Sequence, residues 1–196
     1  MDTIRLNLGA GSSRIPGYLS VDVESSVKPD VVCNFTKDRL PYKDNEVQEI
    51  LFFHTIEHIE RKYHKFILSE IHRVLRSDGI LLISYPEFSE IVQNWLDNKN
   101  GQREFWEHTV YGLQRYPSDF HVVAMHTPHF KLLLEELGFR NVGITVEPQE
   151  TYNTIIKAWK GIPFVNYEKL AATPTTIVHE KVSRRGKGWK RKGVSA

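Results

Sequence analysis

The fold is most constrained by two short apolar stretches near the start of the chain and the glycines between them. Ile4–Leu8 runs directly into Gly9–Gly11, and after a short connection Tyr18–Val23 follows, with Asp22 close to its end. Glycines let a ligand approach the backbone closely, and a carboxylate at a strand end accepts hydrogen bonds from ribose hydroxyl groups. This order predicts an α/β fold that binds a nucleoside.

Further short apolar runs alternate with helical patterns along the chain, and this alternation extends the prediction to the fold class. It favours an α/β, doubly wound, Rossmann-like sheet of seven strands, mostly parallel, with an antiparallel late strand. The predicted strands are Ile4–Leu8, Tyr18–Val23, Asp30–Asn34, Glu49–Phe53, Ile80–Tyr85, Asn141–Glu147 and Thr175–Val182.

Three stretches have the apolar spacing of helices: Arg61–Arg76, Phe88–Leu96 and Thr127–Leu137. Gly79 is expected to end the first helix in the left-handed conformation. Thr127 is expected to cap the third, with Pro128 in its first turn.

An aromatic, poorly periodic stretch separates the second helix from the third. We expect residues 98–126 to form a lid or substrate-binding insertion after strand five, because long irregular connections are uncommon without a function. The insertion belongs to one domain, residues 1–182. A basic tail, residues 183–196, follows. Its composition favours disorder, and the alternative is a nucleic-acid-binding arm in which Trp189 stacks on a base.

The composition predicts the cellular compartment of the protein. No apolar run approaches the length of a membrane helix, and the start lacks a signal-peptide pattern. Cys33 is the only cysteine, which excludes a disulfide framework and a cysteine-based metal site. We therefore expect a cytoplasmic protein without a membrane partner.

The residues after Gly11 favour a nucleoside without phosphate groups. A dinucleotide site needs a third glycine that opens a helix facing the pyrophosphate. Ser12–Arg14 follow Gly11 instead, and Pro16 and Gly17 interrupt any helix. The first helix is therefore expected to be truncated, and the chain has no P-loop sequence, so NAD and ATP are disfavoured.

Several segments, in this order, resemble the motifs of small class I S-adenosylmethionine-dependent methyltransferases of the type 11 group. They are Leu6–Gly11, Val21–Val23, Asn34–Asn45, Phe53–His58 and Leu68–Ile83, and Tyr111–Gly112 with Asp119–His121 resembles an insertion of one subgroup. The resemblance implies an enzyme whose cofactor is S-adenosyl-L-methionine and which transfers a methyl group by direct in-line displacement. We expect a small-molecule acceptor, because one compact domain with an aromatic lid leaves little surface for a large substrate.

The resemblance also implies which residues bind the cofactor: Gly9, Ala10, Gly11, Asp22, Val23, Asn34, Phe35 and His54. Asp22 would accept from the ribose hydroxyls, Asn34 with Phe35 would contact the adenine, and His54 would lie near the methionine end. Asn34 stands where the family usually has aspartate.

Histidines supply the candidate catalytic groups. A base is needed only where the acceptor must lose a proton, and neutral imidazole suits that role near pH 7. His121 is the first candidate and His54 the second.

A metal-dependent alternative comes from the same residues. His54, Glu57 and His58 match the H-x-x-E-H pattern of a zinc hydrolase, but they follow a strand end instead of lying within a helix. His126 and His129, together with His121, lack regular ligand spacing. We therefore predict no metal site.

A second class of function is a binding protein. The chain would then be a catalytically inactive cofactor fold, or a nucleic-acid-binding accessory protein that uses the basic tail. The segment after strand four lacks the (D/N/S)-P-P-(Y/F) signature, which disfavours methylation of DNA exocyclic amines.

Overall fold

A seven-stranded mixed sheet forms the centre of the computed structural model, which describes residues 3–115, 117–148, 150 and 152–161. The strands are β1 Ile4–Leu8, β2 Leu19–Asp22, β3 Val31–Val32, β4 Val47–Phe53, β5 Leu75–Pro86, β6 Arg140–Val146 and β7 Asn153–Trp159. Their order is β3-β2-β1-β4-β5-β7-β6. The first five strands are parallel, and β7 is antiparallel to both β5 and β6.

This architecture confirms the predicted fold class, but the late antiparallel strand lies earlier in the sequence than predicted. The antiparallel strand is Asn153–Trp159, and the segment predicted for it, Thr175–Val182, lies outside the described residues, as does the tail 183–196. β7 was missed because its polar start, Asn153 and Thr154, hides a short alternating pattern. Within the described part of the chain, no helix spans the connection from β1 to β2, as expected for a truncated first helix.

The helices are α1 Arg61–Val74, α2 Phe88–Leu96, α3 Arg103–Tyr111 and α4 Thr127–Glu136, with short 3-10 helices at Ser25–Val27, Ile56–His58, Lys99–Gly101 and Pro117–Asp119. In the described part of the chain, none is long and apolar enough to cross a membrane. α1 buries Ile67, Ile71 and Val74 in the same core as β4 and β5, as its apolar spacing predicts.

Two predicted helix ends are wrong. α1 ends at Val74, and Gly79 lacks a left-handed φ angle; a Cβ there would come 2.8 Å from the Arg76 carbonyl oxygen, so the position needs glycine for close packing. Thr127 does not cap α4 with its own side chain, because Glu87 accepts hydrogen bonds from both its N–H and its hydroxyl.

The insertion at residues 98–126 is more ordered than its sequence suggests. It contains α3, which packs against α2. Trp106 of α3 is buried, and its ring makes edge contacts with Phe105 and with Tyr152 from the connection between β6 and β7. These aromatic side chains therefore hold the insertion on the domain.

Candidate cofactor and acceptor site

The predicted site residues follow the carboxyl ends of β1, β2 and β4. β1 lies between β2 and β4, so β2 and β3 are added on one side of β1 and the later strands on the other. Crevices at such a switch point are where doubly wound sheets bind their ligands.

The glycine turn after β1 brings the backbone close to the residues that follow β4. Gly9 and Gly11 both have left-handed φ angles, +64° and +52°. A Cβ on Gly9 would overlap the side chain of Thr55, whereas a Cβ on Gly11 would meet nothing within 4 Å. Gly9 is thus required by packing, and Gly11 faces open space in which a ligand fits against the backbone.

Asp22 fixes this turn from the end of β2. Its Oδ2 accepts from the Gly11 N–H at 2.7 Å, and its Oδ1 accepts from the Glu24 N–H at 2.9 Å. Because each carboxylate oxygen accepts more than one hydrogen bond, both oxygens keep a lone pair for another donor. Ala10 is buried beside them, and Val23 is about half exposed at the strand end.

The Arg14 side chain holds the connection from β1 to β2, whose described residues form no helix. Its guanidinium group donates to the carbonyl oxygens of Gly11 at 3.0 Å, Ser13 at 2.7 Å, Val27 at 2.5 Å and Lys28 at 2.8 Å. These bonds tie the glycine turn to the 3-10 helix after β2. Sequence reasoning assigned Arg14 no role, since nothing in its local pattern shows which carbonyl groups it reaches.

Asn34 and Phe35 begin the turn after β3. The Oδ1 atom of Asn34 accepts from the Thr36 N–H at 3.0 Å and from its hydroxyl at 2.8 Å, which leaves the amide NH2 group as the donor for a ligand. The Phe35 ring is buried edge-on against Phe52, with ring centroids 6.1 Å apart. Its side chain therefore belongs to the core.

His54 follows β4 with a left-handed φ angle of 47°, which is uncommon for a residue other than glycine. Its N–H donates to the Ser84 carbonyl oxygen at 2.9 Å. Its Nδ1 lies 3.6 Å from Oε1 of Glu57. Burial opposes the imidazolium form, but the Glu57 carboxylate outweighs it and raises the pKa of His54 above its ordinary value.

His121 reaches the same region from the insertion. Its N–H donates to the Tyr111 carbonyl oxygen at 3.0 Å, and the next residue, Val122, donates to the Glu57 carbonyl oxygen at 2.9 Å. Gly112 allows this approach, because a Cβ there would come 2.2 Å from the Asp119 carbonyl oxygen. Burial lowers the pKa of His121, so its imidazole is neutral near pH 7.

The contacts among the histidines match neither of the two metal sites considered from the sequence. His54 and His58 do not share a helix face, since only Ile56–His58 is helical there and in the 3-10 form. His126 and His129 stack on each other with centroids 4.8 Å apart. His121 instead packs edge-on against His58, with centroids also 4.8 Å apart. No local sequence pattern indicates this pairing between the segment after β4 and the insertion.

Comparison with known proteins agrees with this geometry. Residues 6–83 match the type 11 family that is described as "Methyltransferase domain". The chain carries a class I methyltransferase domain. No curated protein has a sequence that matches this chain.

Solved structures of methyltransferases share the fold of this class I domain. A SAM-dependent methyltransferase from Archaeoglobus fulgidus is 15% identical, over 80% of this chain and 86% of that chain, with a TM-score of 0.58. A SAM-dependent methyltransferase from Thermotoga maritima, described as a possible histamine N-methyltransferase, is 16% identical, over 82% and 83%, with a TM-score of 0.56.

A third structural neighbour is larger. The CMeT domain of the citrinin polyketide synthase is 18% identical over 81% of this chain and 47% of that chain, with a TM-score of 0.56. This methyltransferase therefore spans about half the length of that neighbour.

The cofactor of such a domain is S-adenosylmethionine, and the described residues fit it. The open space beside Gly11 admits a ligand against the backbone, and Asp22 keeps acceptor lone pairs next to it. The protein has no phosphate-binding helix in the described connection after β1, which agrees with a cofactor that lacks phosphate groups.

Proposed function

We propose that this protein is a methyltransferase whose acceptor is a small molecule bound between the glycine turn and the insertion at residues 98–126. The observation that carries the proposal is that the end of the insertion is hydrogen-bonded to the 3-10 helix that follows β4. Val122 and Val123 both donate to the Glu57 carbonyl oxygen, at 2.9 and 3.3 Å. A segment held at this position restricts the approach of a large acceptor to the cleft.

The cofactor-binding residues belong to the same proposal. Gly9–Gly11 would lie beneath the amino-acid and ribose portions, Asp22 with Val23 at the ribose hydroxyls, and Asn34 with the Phe35 backbone at the adenine. His54 would lie near the methionine end, because the packing of Gly9 on Thr55 brings the glycine turn to the residues after β4.

The protein mainly supplies orientation and exclusion of water, since the sulfonium group of the cofactor is already activated. Where the acceptor must lose a proton, the geometry supports His121 ahead of His54. The neutral imidazole of His121 accepts a proton near pH 7, whereas the raised pKa of His54 keeps it protonated to higher pH.

Titration calorimetry with S-adenosylmethionine tests the cofactor assignment. Asp22→Ala should weaken binding by about tenfold or more, because a charged hydrogen-bond acceptor is lost. Asp30→Asn is the matched control: Asp30 also accepts from a backbone N–H, that of Ser20 at 2.8 Å, but it precedes β3 instead of ending a strand. Unchanged affinity in a folded Asp22→Ala variant would refute the ribose assignment.

The acceptor class is tested by measuring S-adenosylhomocysteine release with pooled small metabolites, with RNA, with DNA and with unfolded protein. We expect turnover with the small-molecule pool alone. Turnover confined to a nucleic acid or protein pool would contradict the proposal, and loss of that turnover without residues 183–196 would favour the accessory role of the tail.

A further inference from the structure

Three side chains of metal-ligand type converge beside the predicted cofactor pocket. Glu57, His58 and His121 bring a carboxylate oxygen and two ring nitrogens within 4.8 Å of one another. They come from two separate parts of the chain, the 3-10 helix after β4 and the end of the insertion. We propose that these three side chains bind one divalent transition-metal ion, with zinc as the representative ion.

The carboxylate of Glu57 is the first reason. The residue is only 1% exposed, and neither Oε1 nor Oε2 has a hydrogen-bond partner among the described residues. The nearest cationic group, Nδ1 of His54, lies 3.6 Å from Oε1. Burial of a carboxylate without hydrogen-bond partners is costly, and a bound cation adds to the single ion pair with His54 in offsetting that cost.

The orientation of His58 is the second reason. Its Nδ1 lies 3.0 Å from the Phe120 carbonyl oxygen. A carbonyl oxygen only accepts, so Nδ1 carries the hydrogen, and Nε2 is the ring nitrogen left to bind an ion. Metal-binding histidines are usually oriented in this way by a backbone carbonyl or a carboxylate.

The backbone holds the two parts of the site together without an ion. Val122 and Val123 donate to the Glu57 carbonyl oxygen, and His121 N–H donates to the Tyr111 carbonyl oxygen. Two donors in a tetrahedral zinc site are about 3.4 Å apart, given ligand distances near 2.1 Å. The half-buried side chains of His58 and His121 therefore rotate on binding so that the donor atoms, which lie within 4.8 Å of one another without an ion, approach by about 1.4 Å.

The donor set indicates the class of ion. Two imidazole nitrogens and one carboxylate oxygen suit Zn²⁺, Fe²⁺ or Co²⁺ better than Mg²⁺ or Ca²⁺, which prefer oxygen alone. Three protein ligands leave at least one position for water or an acceptor atom. Coordination would take the lone pair that a base role needs, so His121 holds the ion in this proposal instead of accepting a proton.

The test measures metal directly in the full chain. Protein stripped with EDTA is incubated with excess ZnSO4, passed through a desalting column and analysed by mass spectrometry for zinc per chain. We expect one ion per chain, and binding at least about tenfold weaker in His58→Ala and His121→Ala. Glu57→Gln is the third variant, because it removes the buried charge without removing the side-chain volume.

His129→Ala is the matched control, since it removes a histidine from the stacked pair with His126, which is not part of the proposed site. It should retain one ion per chain. Circular dichroism and calorimetry with S-adenosylmethionine accompany each variant, so that a failed cofactor site and a failed metal site give different results. Wild-type protein without zinc, or equal zinc in wild type and all three site variants, would overturn the proposal.

Discussion

At the scale of single residues, the two glycines of the first turn are required for different reasons. Both have left-handed φ angles, but Gly9 lies against Thr55 and Gly11 faces open space. A side chain at position 9 disturbs the fold, whereas a side chain at position 11 enters the volume proposed for the cofactor. A substitution at Gly11 therefore tests cofactor binding without disturbing the fold, whereas a substitution at Gly9 also disturbs the fold.

We expect Gly11→Ala to weaken S-adenosylmethionine binding by about tenfold or more while lowering the stability by only about 1 kcal/mol, the usual strain of alanine at this φ. Gly101→Ala is the matched control, because Gly101 has a φ of +67° and also has nothing within 4 Å of its ideal Cβ. Calorimetry and urea unfolding measure the two effects. Equal cofactor affinity in the two variants would contradict the placement of the cofactor.

At the scale of elements, the connection from β1 to β2 is held by hydrogen bonds instead of a helix. Arg14 spans from the glycine turn to the carbonyl oxygens of Val27 and Lys28. The exposed Arg14 side chain thus orders the glycine turn together with Asp22.

We expect Arg14→Ala to reduce affinity for S-adenosylmethionine several-fold, because the unbound turn must then be ordered at the expense of binding free energy. The melting temperature should change little, since the lost bonds are exposed. Arg14→Lys, which cannot reach four carbonyl groups with a fork of donors, should behave like Arg14→Ala. Affinity equal to wild type in both variants would show that the turn is ordered without Arg14.

The turn that precedes β4 depends on α1 in a similar way. Arg73 makes a two-pronged ion pair with Glu70, at 3.0 and 2.7 Å, and donates to the carbonyl oxygens of Leu40 and Tyr42. Glu70 in turn accepts from the Leu40 N–H at 3.2 Å. The pair is largely buried, so α1 fixes the position of this turn.

We expect Arg73→Ala to lower the free energy of unfolding by about 2–4 kcal/mol, because it leaves the largely buried Glu70 carboxylate without its main partner. Arg76→Ala is the control: Arg76 pairs with Asp78 at the surface, and its loss should cost at most about 1 kcal/mol. Urea unfolding of both variants gives the comparison. Similar losses would show that the Arg73 network adds nothing beyond a surface ion pair.

At the scale of the whole molecule, His72 joins α1 to the segment that links α4 and β6. Its ring packs edge-on against Phe139 with centroids 5.0 Å apart, and its Nε2 is buried without a hydrogen-bond partner among the described residues. Burial, and next the nearby charge of Lys160, lower the pKa of His72 below its ordinary value. The folded protein therefore disfavours the protonated ring.

The sign of the resulting pH dependence follows from this depressed pKa. As pH falls through about 6.5, the ordinary value for histidine, the unfolded chain binds a proton that the folded chain resists, so the free energy of unfolding decreases. His72→Gln should flatten part of that decrease in urea unfolding between pH 8 and pH 5. His108→Gln, at an exposed position of α3, should leave it unchanged. An equally steep decrease in the His72→Gln variant would contradict the assignment.

Much of the fold was predictable because its signals are local. Short stretches rich in apolar residues indicate strands and apolar residues at helical spacing indicate helices, and β1 and α2 have the predicted bounds. The strand–glycine–strand–acid order likewise placed Gly11 and Asp22 together, and the structure joins them by a hydrogen bond of 2.7 Å. The position of β7 was missed because its polar start hides the local pattern and because its pairing with β5, such as Ile80 with Trp159, joins distant parts of the chain.

The sequence alone therefore determined the α/β class, the switch point and the nucleoside character of the cleft, because periodicity and turn residues act over a few positions. Only the tertiary structure decided which side chains meet. It assigned Arg14 to four carbonyl groups, placed the Phe35 ring in the core, and brought His121 to Glu57 and His58 across more than sixty residues. Such meetings depend on packing and backbone hydrogen bonds between distant segments, which no local pattern records.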